Sequence, residues 1–362
     1  MYRIVKLADG NNVMKLKWPL LFSLALVCAH AQVLTRQYVV PLPNAGIMLY
    51  DGFHVWTANG NELTALKATN LSTAGGTDFG APVISIAWDS AHTLWVSTAA
   101  DVVCKSSIAA ALAGELGICY SVSGTPGPMA IDTVNGNIWI VNLTTGLVDI
   151  YTLDKFALLG SLPPNDGNPA TSVFYVSGAL NGAVGPGMFV STSYTVDNFN
   201  FANVLFFCTQ TKSWGWQSTW DQFLTIGYPA IFAWNEHLAL LQIGEGTGET
   251  VEEVSVIGDG AFFPFYPPGD AWQNQYGLSA GPTLALAVTG DDALTAQLVG
   301  PGVCCNPEAP AQLWVYWALD LPQTGTTAGI PLRGAENMIF AGDFIVVSTP
   351  GASGTVQAIS YR

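Results

Sequence analysis

The chain has 362 residues, half of them hydrophobic and only a tenth charged, with a net charge of −15. That balance excludes a disordered chain, and the acidity argues against nucleic acid or anionic lipid as a partner. Abundant Gly and Pro with few long helical patterns point to many short strands joined by turns.

The N-terminus reads as a targeting segment. Met14-Lys15-Leu16-Lys17 is a short basic region, Trp18 to Cys28 is apolar, and Ala29-His30-Ala31 is a small-x-small cleavage site before Gln32. Residues 1–31 are expected to be a signal peptide whose true start is Met14. Val27 before Cys28 does not suit a lipobox. Residues 32–362 are then a single secreted or periplasmic domain. No later apolar run is long enough to insert into a membrane. Cleavage leaves 7 Lys and Arg against 25 Asp and Glu, a formal charge of −18. Such a surface favours cations as small charged partners.

Val33 to Val40 reads as one strand standing alone. A hairpin then recurs seven times, with central second-strand positions at 56, 95, 139, 189, 239, 295 and 345. In the third copy, Met129 to Asp132 runs into the turn Asn135-Gly136-Asn137 and then Ile138-Trp139-Ile140-Val141-Asn142. The first strand of each hairpin is apolar almost throughout, so it is expected to be the most buried. Strands further on, such as Leu147 to Tyr151, alternate and should be wetter. A 40–50-residue period with four strands per unit is the signature of a β-propeller. The fold expected is all-β, a propeller of seven four-stranded blades. After the last hairpin only Thr355 to Tyr361 remains, so the N-terminal strand is expected to pair with it and close the ring.

The stretches Met129–Asn142, Ile84–Thr98 and Ile47–Asn59 resemble YVTN and NHL-type propeller repeats, and more loosely the streptogramin-lyase propellers. In those families the motif marks blade geometry. The resemblance implies binding scaffolds, lyases or lactone hydrolases, and it supports the fold more than any one activity.

Of the cysteines after Gln32, Cys104 and Cys119 flank a small-residue loop, Lys105 to Ile118, and are expected to form a disulfide. Cys304 and Cys305 read either as a strained vicinal bridge or as two loop thiols. An odd count leaves at least one thiol free.

Asp51, Asp89, Asp132, Asp291 and Asp343 each lie in or near the turn after a first strand. Read functionally, they form a ring of carboxylates at one channel mouth that would hold calcium. Read structurally, they are turn residues whose side chains bond nearby backbone N–H groups, and their fixed place in the repeat favours this. His54, His92 and His237 sit near hairpin turns of different units, which argues against a shared catalytic role. Two aromatic segments stand out. Trp214 and Trp216 alternate along an expected outer strand and suit packing between blades. Phe263, Phe265, Tyr266, Trp272 and Tyr276, around a Pro-rich loop, are the candidate ligand-binding surface.

No motif for nucleophilic catalysis, zinc or phosphate is present. The leading expectation is a monomeric, non-catalytic binding or scaffold protein that uses one face or the channel mouth for a protein, peptide or glycan. No cofactor other than calcium is expected. The alternative is an extracytoplasmic metal-assisted lyase or hydrolase of the streptogramin-lyase or lactonase type.

Overall fold

A computed structural model describes residues 34–176, 186–196, 199–217 and 330–361, with the strand segments 231–234, 238–243, 253–258, 261–262, 283–288, 294–299 and 311–317. The chain divides into two units, Met1–Ala31 and Gln32–Arg362, and all described residues belong to the second.

Turn residues cut the chain into short strands. After β1 (Thr35–Pro41), the strands β2 (Ala45–Tyr50), β3 (His54–Asn59), β4 (Glu62–Lys67) and β5 (Thr73–Asp78) form an antiparallel sheet in that order. The next sheet is β6 (Val83–Trp88), β7 (Thr93–Thr98), β8 (Val102–Ser107) and β9 (Ile118–Ser121), with a helix, α1 (Ile108–Leu112), before β9. A further sheet holds β10 (Pro126–Asp132), β11 (Asn137–Asn142), β12 (Leu147–Thr152) and β13 (Leu158–Leu162). It is followed by β14 (Ala170–Val176), β15 (Gly187–Val196), β16 (Phe199–Cys208) and β17 (Ser213–Gln217).

The same four-strand order continues through β18 (Ile231–Trp234), β19 (Leu238–Ile243), β20 (Glu253–Gly258) and β21 (Ala261–Phe262). It recurs in β22 (Thr283–Val288), β23 (Leu294–Val299), β24 (Ala311–Trp317) and β25 (Ile330–Leu332). The last three strands, β26 (Asn337–Ala341), β27 (Phe344–Thr349) and β28 (Thr355–Ser360), take β1 as their fourth. β1 pairs antiparallel with β28 from Thr35↔Ser360 to Pro41↔Thr355.

Turn chemistry sets these hairpins. The β10–β11 turn needs a positive φ, which Gly136 takes at 65° without a Cβ penalty. The first strands meet across neighbouring sheets: β2 packs on β6 and β26, β10 on β6 and β14, and β22 on β18 and β26. The cores lie between sheets. Trp56, Leu63, Ile86, Leu94 and Val96 form one cluster from two adjacent sheets. Trp139, Val141, Val190, Leu205 and Phe207 form another.

Burial corrects the expected gradient in the first two sheets. There the second strands β3 and β7 are closed off almost end to end, and the first strands β2 and β6 are mostly half-buried. In the third sheet β10 is buried as expected, as fully as β11. A second strand has a ladder partner on each side and sheets packed on its faces. A first strand has one ladder partner and an open edge. The outermost strands β9, β13 and β1 are the wettest, as expected.

The expected loop from Lys105 to Ile118 also differs. Its first residues complete β8, and α1 follows. Ser107 caps the helix by accepting the Ala110 N–H, and Ile108-Ala109-Ala110-Ala111-Leu112 is a strong helix-forming run. The helix lies on β5, where Thr77 Oγ1 donates to Ala111 O at 2.8 Å. Gly75 makes room for it: a Cβ there would stand 2.2 Å from Leu112 O.

The disulfide expected between Cys104 and Cys119 is present. The two residues are direct cross-strand partners on β8 and β9. No helix among the described residues is long and apolar enough to cross a membrane.

Candidate functional site

The turns after β2 and β6 share one construction. Asp51 Oδ1 accepts from the Phe53 and His54 backbone N–H groups at 2.7 and 2.6 Å. Its Oδ2 accepts from Trp56 Nε1 at 2.8 Å and lies 3.0 Å from His54 Nδ1. The carboxylate side chain is only 1% exposed. Burial by itself would raise its pKa, but the hydrogen bonds, led by that from Trp56, hold it below the usual value. The second repeat matches: Asp89 Oδ1 accepts from Ala91 and Thr93, and Asp89 Oδ2 accepts from Trp95 Nε1 at 3.1 Å.

The third repeat departs. The Asp-to-Trp spacing is five residues in the first copy, six in the second and seven in the third. Asn135 fills the longer turn and donates both its backbone N–H and its Nδ2 to Asp132, at 3.0 and 2.8 Å. Trp139 is 3% exposed, and its indole N–H has no hydrogen-bond partner. Burial first, and then the charge of Asp132, push the Tyr175 phenol above its usual value, although no hydrogen bond of ordinary geometry joins the two.

Beside Trp139 lies a cavity of about 510 Å³ between the β10–β13 and β14–β17 sheets. Trp139, Phe207, Ile150 and Leu162 supply apolar wall. The Trp139 and Phe207 rings are 5.5 Å apart, and Trp214 stands edge-on to Phe207 at 5.3 Å. Polar lining comes from Asp132, Asn135, Asn137, Ser161, Thr209 and Lys212. Ser161 Oγ donates to Asp149 Oδ1, and Thr209 Oγ1 donates to Pro186 O. Lys212 and Leu159 are exposed, Leu159 at 59%, and belong to the rim. A mostly apolar concavity of this size with a few polar groups is the usual form of a small-ligand site.

The structure gathers the predicted site residues only in part. Asp51, Asp89 and Asp132 each serve their own turn. Asp51 and Asp343 come together around Tyr50, where burial first and then their charges raise the phenol pKa. Among the described residues, no three His, Cys, Asp or Glu side chains are grouped as a metal site. His54 belongs to the Asp51 turn, while His92 adopts a φ of 56° in the Asp89 turn. Trp214 packs between sheets, as its place on an outer strand suggested. Asp291, His237, Phe263, Phe265, Tyr266, Trp272, Tyr276, Cys304 and Cys305 lie outside the described residues. Cys208 is a free thiol, and the Thr211 hydroxyl lowers its pKa.

Sequence reasoning missed the cavity. Trp139 is some seventy residues from Phe207 and Lys212, and no local pattern joins them. The available signal was the lengthened third turn.

No family model matches the sequence, and no curated protein matches it. Solved structures do match. One is a chain of the mitotic checkpoint complex, 12% identical with a TM-score of 0.62, covering 91% of this chain and 95% of that one. Another is the Cps50 (Swd1) β-propeller domain of Myceliophteria thermophila, 7% identical with a TM-score of 0.63, covering 91% of this chain and 100% of that one. A third is BamB from Moraxella catarrhalis, 11% identical with a TM-score of 0.53, covering 91% of this chain and 98% of that one. With the four-stranded antiparallel sheets, these likenesses define the fold as a β-propeller. At such identities they speak to the fold alone.

Proposed function

We propose that this chain is an exported, soluble β-propeller that binds a ligand without transforming it, through the cavity between the β10–β13 and β14–β17 sheets. The observation carrying this reading is the departure of the third repeat. Two turns give their Trp indole a carboxylate, and the third leaves the indole without one beside an apolar concavity. A repeat that relaxes its own structural rule at a cavity is a natural place for function.

The seven hairpins and the β1–β28 pairing support seven blades with a ring closed by the N-terminal strand. The Met14 to Ala31 pattern supports export, and the Trp-containing repeats support a YVTN or NHL-like lineage.

The test is to screen the purified protein against glycan, peptide and small-molecule arrays, with and without calcium. This reading expects saturable binding to one ligand class that is recovered unchanged. Hydrolysis or elimination of the bound compound would overturn the non-catalytic part.

A further inference from the structure

We infer that the Cys104–Cys119 bridge is a redox latch. A dithiol reductant opens it in the folded protein, and α1 then leaves an apolar seat between the β2–β5 and β6–β9 sheets. The latch goes beyond the binding role and stands apart from the cavity, which lies between two other sheets.

The connection to the outermost strand is where the second sheet departs from its neighbours. Residues 68–72 join β4 to β5, and residues 153–157 join β12 to β13. Residues 108–117 join β8 to β9, and they carry α1. The fold needs no bridge at this place, because β5 and β13 hold the same outer position without a cysteine.

A helix of five residues is too short to be stable alone, so its place depends on what holds it. Ala111 is fully buried in the cluster of Trp56, Leu63, Ala65, Leu94 and Val96, with Ile108 and Leu112 packed against it. That cluster is the seat. Beyond the helix the chain changes character. Every residue from Ala113 to Cys119 is exposed. Gly114 and Gly117 take φ values of 84° and 71°, so both ends of this stretch can pivot without a side-chain penalty. β9 has four residues and pairs with β8 alone among the described strands. Exposed backbone with few buried contacts marks a segment that opens without the rest of the fold. The bridge ties that segment to β8, so cutting it releases the opening.

The two sulfurs are placed unequally. Cys119 is exposed, while Cys104 is 3% exposed. A reductant thiolate attacks the Cys119 sulfur, and the Cys104 sulfur leaves as a thiolate. The second thiolate of the reductant then displaces Cys119 from the mixed disulfide. The protein gains two electrons and, with two protons, two thiols, and the reductant is oxidised to its disulfide.

The test treats the purified native protein with dithiothreitol. Two readouts follow: cleavage by glutamyl endopeptidase at the exposed Glu115, located by mass spectrometry, and fluorescence of the apolar dye 8-anilinonaphthalene-1-sulfonate. Reduction should speed the cut at least about tenfold and raise the dye signal while the propeller stays folded, and reoxidation should reverse both. Cys104→Ser/Cys119→Ser should behave as reduced protein without reductant. Gly75→Ala puts a Cβ 2.2 Å from Leu112 O, so it should unseat α1 and raise the dye signal with the bridge closed. The latch is overturned if the bridge yields only when the propeller unfolds, or if reduction changes neither the cut nor the dye signal. A double-serine variant that matches oxidised wild type would also overturn it. A Gly75→Ala protein with no added dye signal would reject α1 as the cover of the seat.

Discussion

The indole N–H of Trp56 donates to Asp51 Oδ2 at 2.8 Å, joining the turn after β2 to the middle of β3. Trp95 and Asp89 repeat the bond at 3.1 Å. Trp139 and Asp132 do not. The bond fixes a first-strand turn against a second-strand tryptophan at the core between two sheets. Its loss in the third repeat coincides with the cavity.

Replacing Asp51 by Ala strands the Trp56 N–H and the His54 backbone N–H in a partly buried turn, while the exposed Phe53 N–H turns to water. A cost of about 2 kcal/mol or more is expected at pH 7. The pKa of Asp51 is lowered in the fold, so its contribution is present above the unfolded-state value near pH ~4 and is lost as pH falls through the lower folded value. Denaturant unfolding of wild type and Asp51→Ala should therefore converge in acid. A gap that stays constant from pH 7 to pH 3 would contradict the role of the carboxylate.

The Cys104–Cys119 bridge closes a sequence separation of 15 residues that contains α1. Closing a loop of that length is worth about 3 kcal/mol. Reduction should lower the melting temperature of wild type and leave a Cys104→Ser/Cys119→Ser protein unchanged. Hydrogen exchange should speed up first across residues 108–118, where α1 rests on β5 with a hydroxyl contact from Thr77. Equal melting with and without reductant would show that the bridge contributes nothing.

β1 buries little side-chain surface, yet it pairs along the outer edge of β28. Deleting residues 34–41 removes a ladder of backbone hydrogen bonds and bares a strand edge. The melting temperature should drop by several degrees or more, at about 2 °C per kcal/mol for a chain of this size, and the protein should self-associate. Melting within a degree or two of wild type, with no association, would argue against ring closure by β1.

The hairpins were legible in the sequence because turn residues and a second-strand Trp recur together, as at Asn135-Gly136-Asn137 before Trp139. The β1–β28 pairing was legible because the last hairpin lacked its fourth strand and the segment before the first hairpin offered a spare one. Burial was less so: the apolar run Gly46 to Tyr50 suggested an enclosed strand, but its open edge leaves it half-buried. Hydrophobicity records what a strand can bury, not how many neighbours it has. α1 was hidden because five residues carry too short a period to read, and the Ser107 cap shows only once the chain bends there. The cavity depends on Phe207 packing on Trp139 from another sheet, with Lys212 at the rim, an arrangement that no local pattern encodes.

The most direct test of the binding account compares wild type with Gly160→Phe for whichever ligand the arrays identify. The substitution enters open space on β13, so the melting temperature should stay within about 2 °C of wild type. Affinity should fall at least about a hundredfold, a change of roughly 2.7 kcal/mol. Unchanged affinity in a protein of unchanged stability would contradict the claim that function resides between the β10–β13 and β14–β17 sheets.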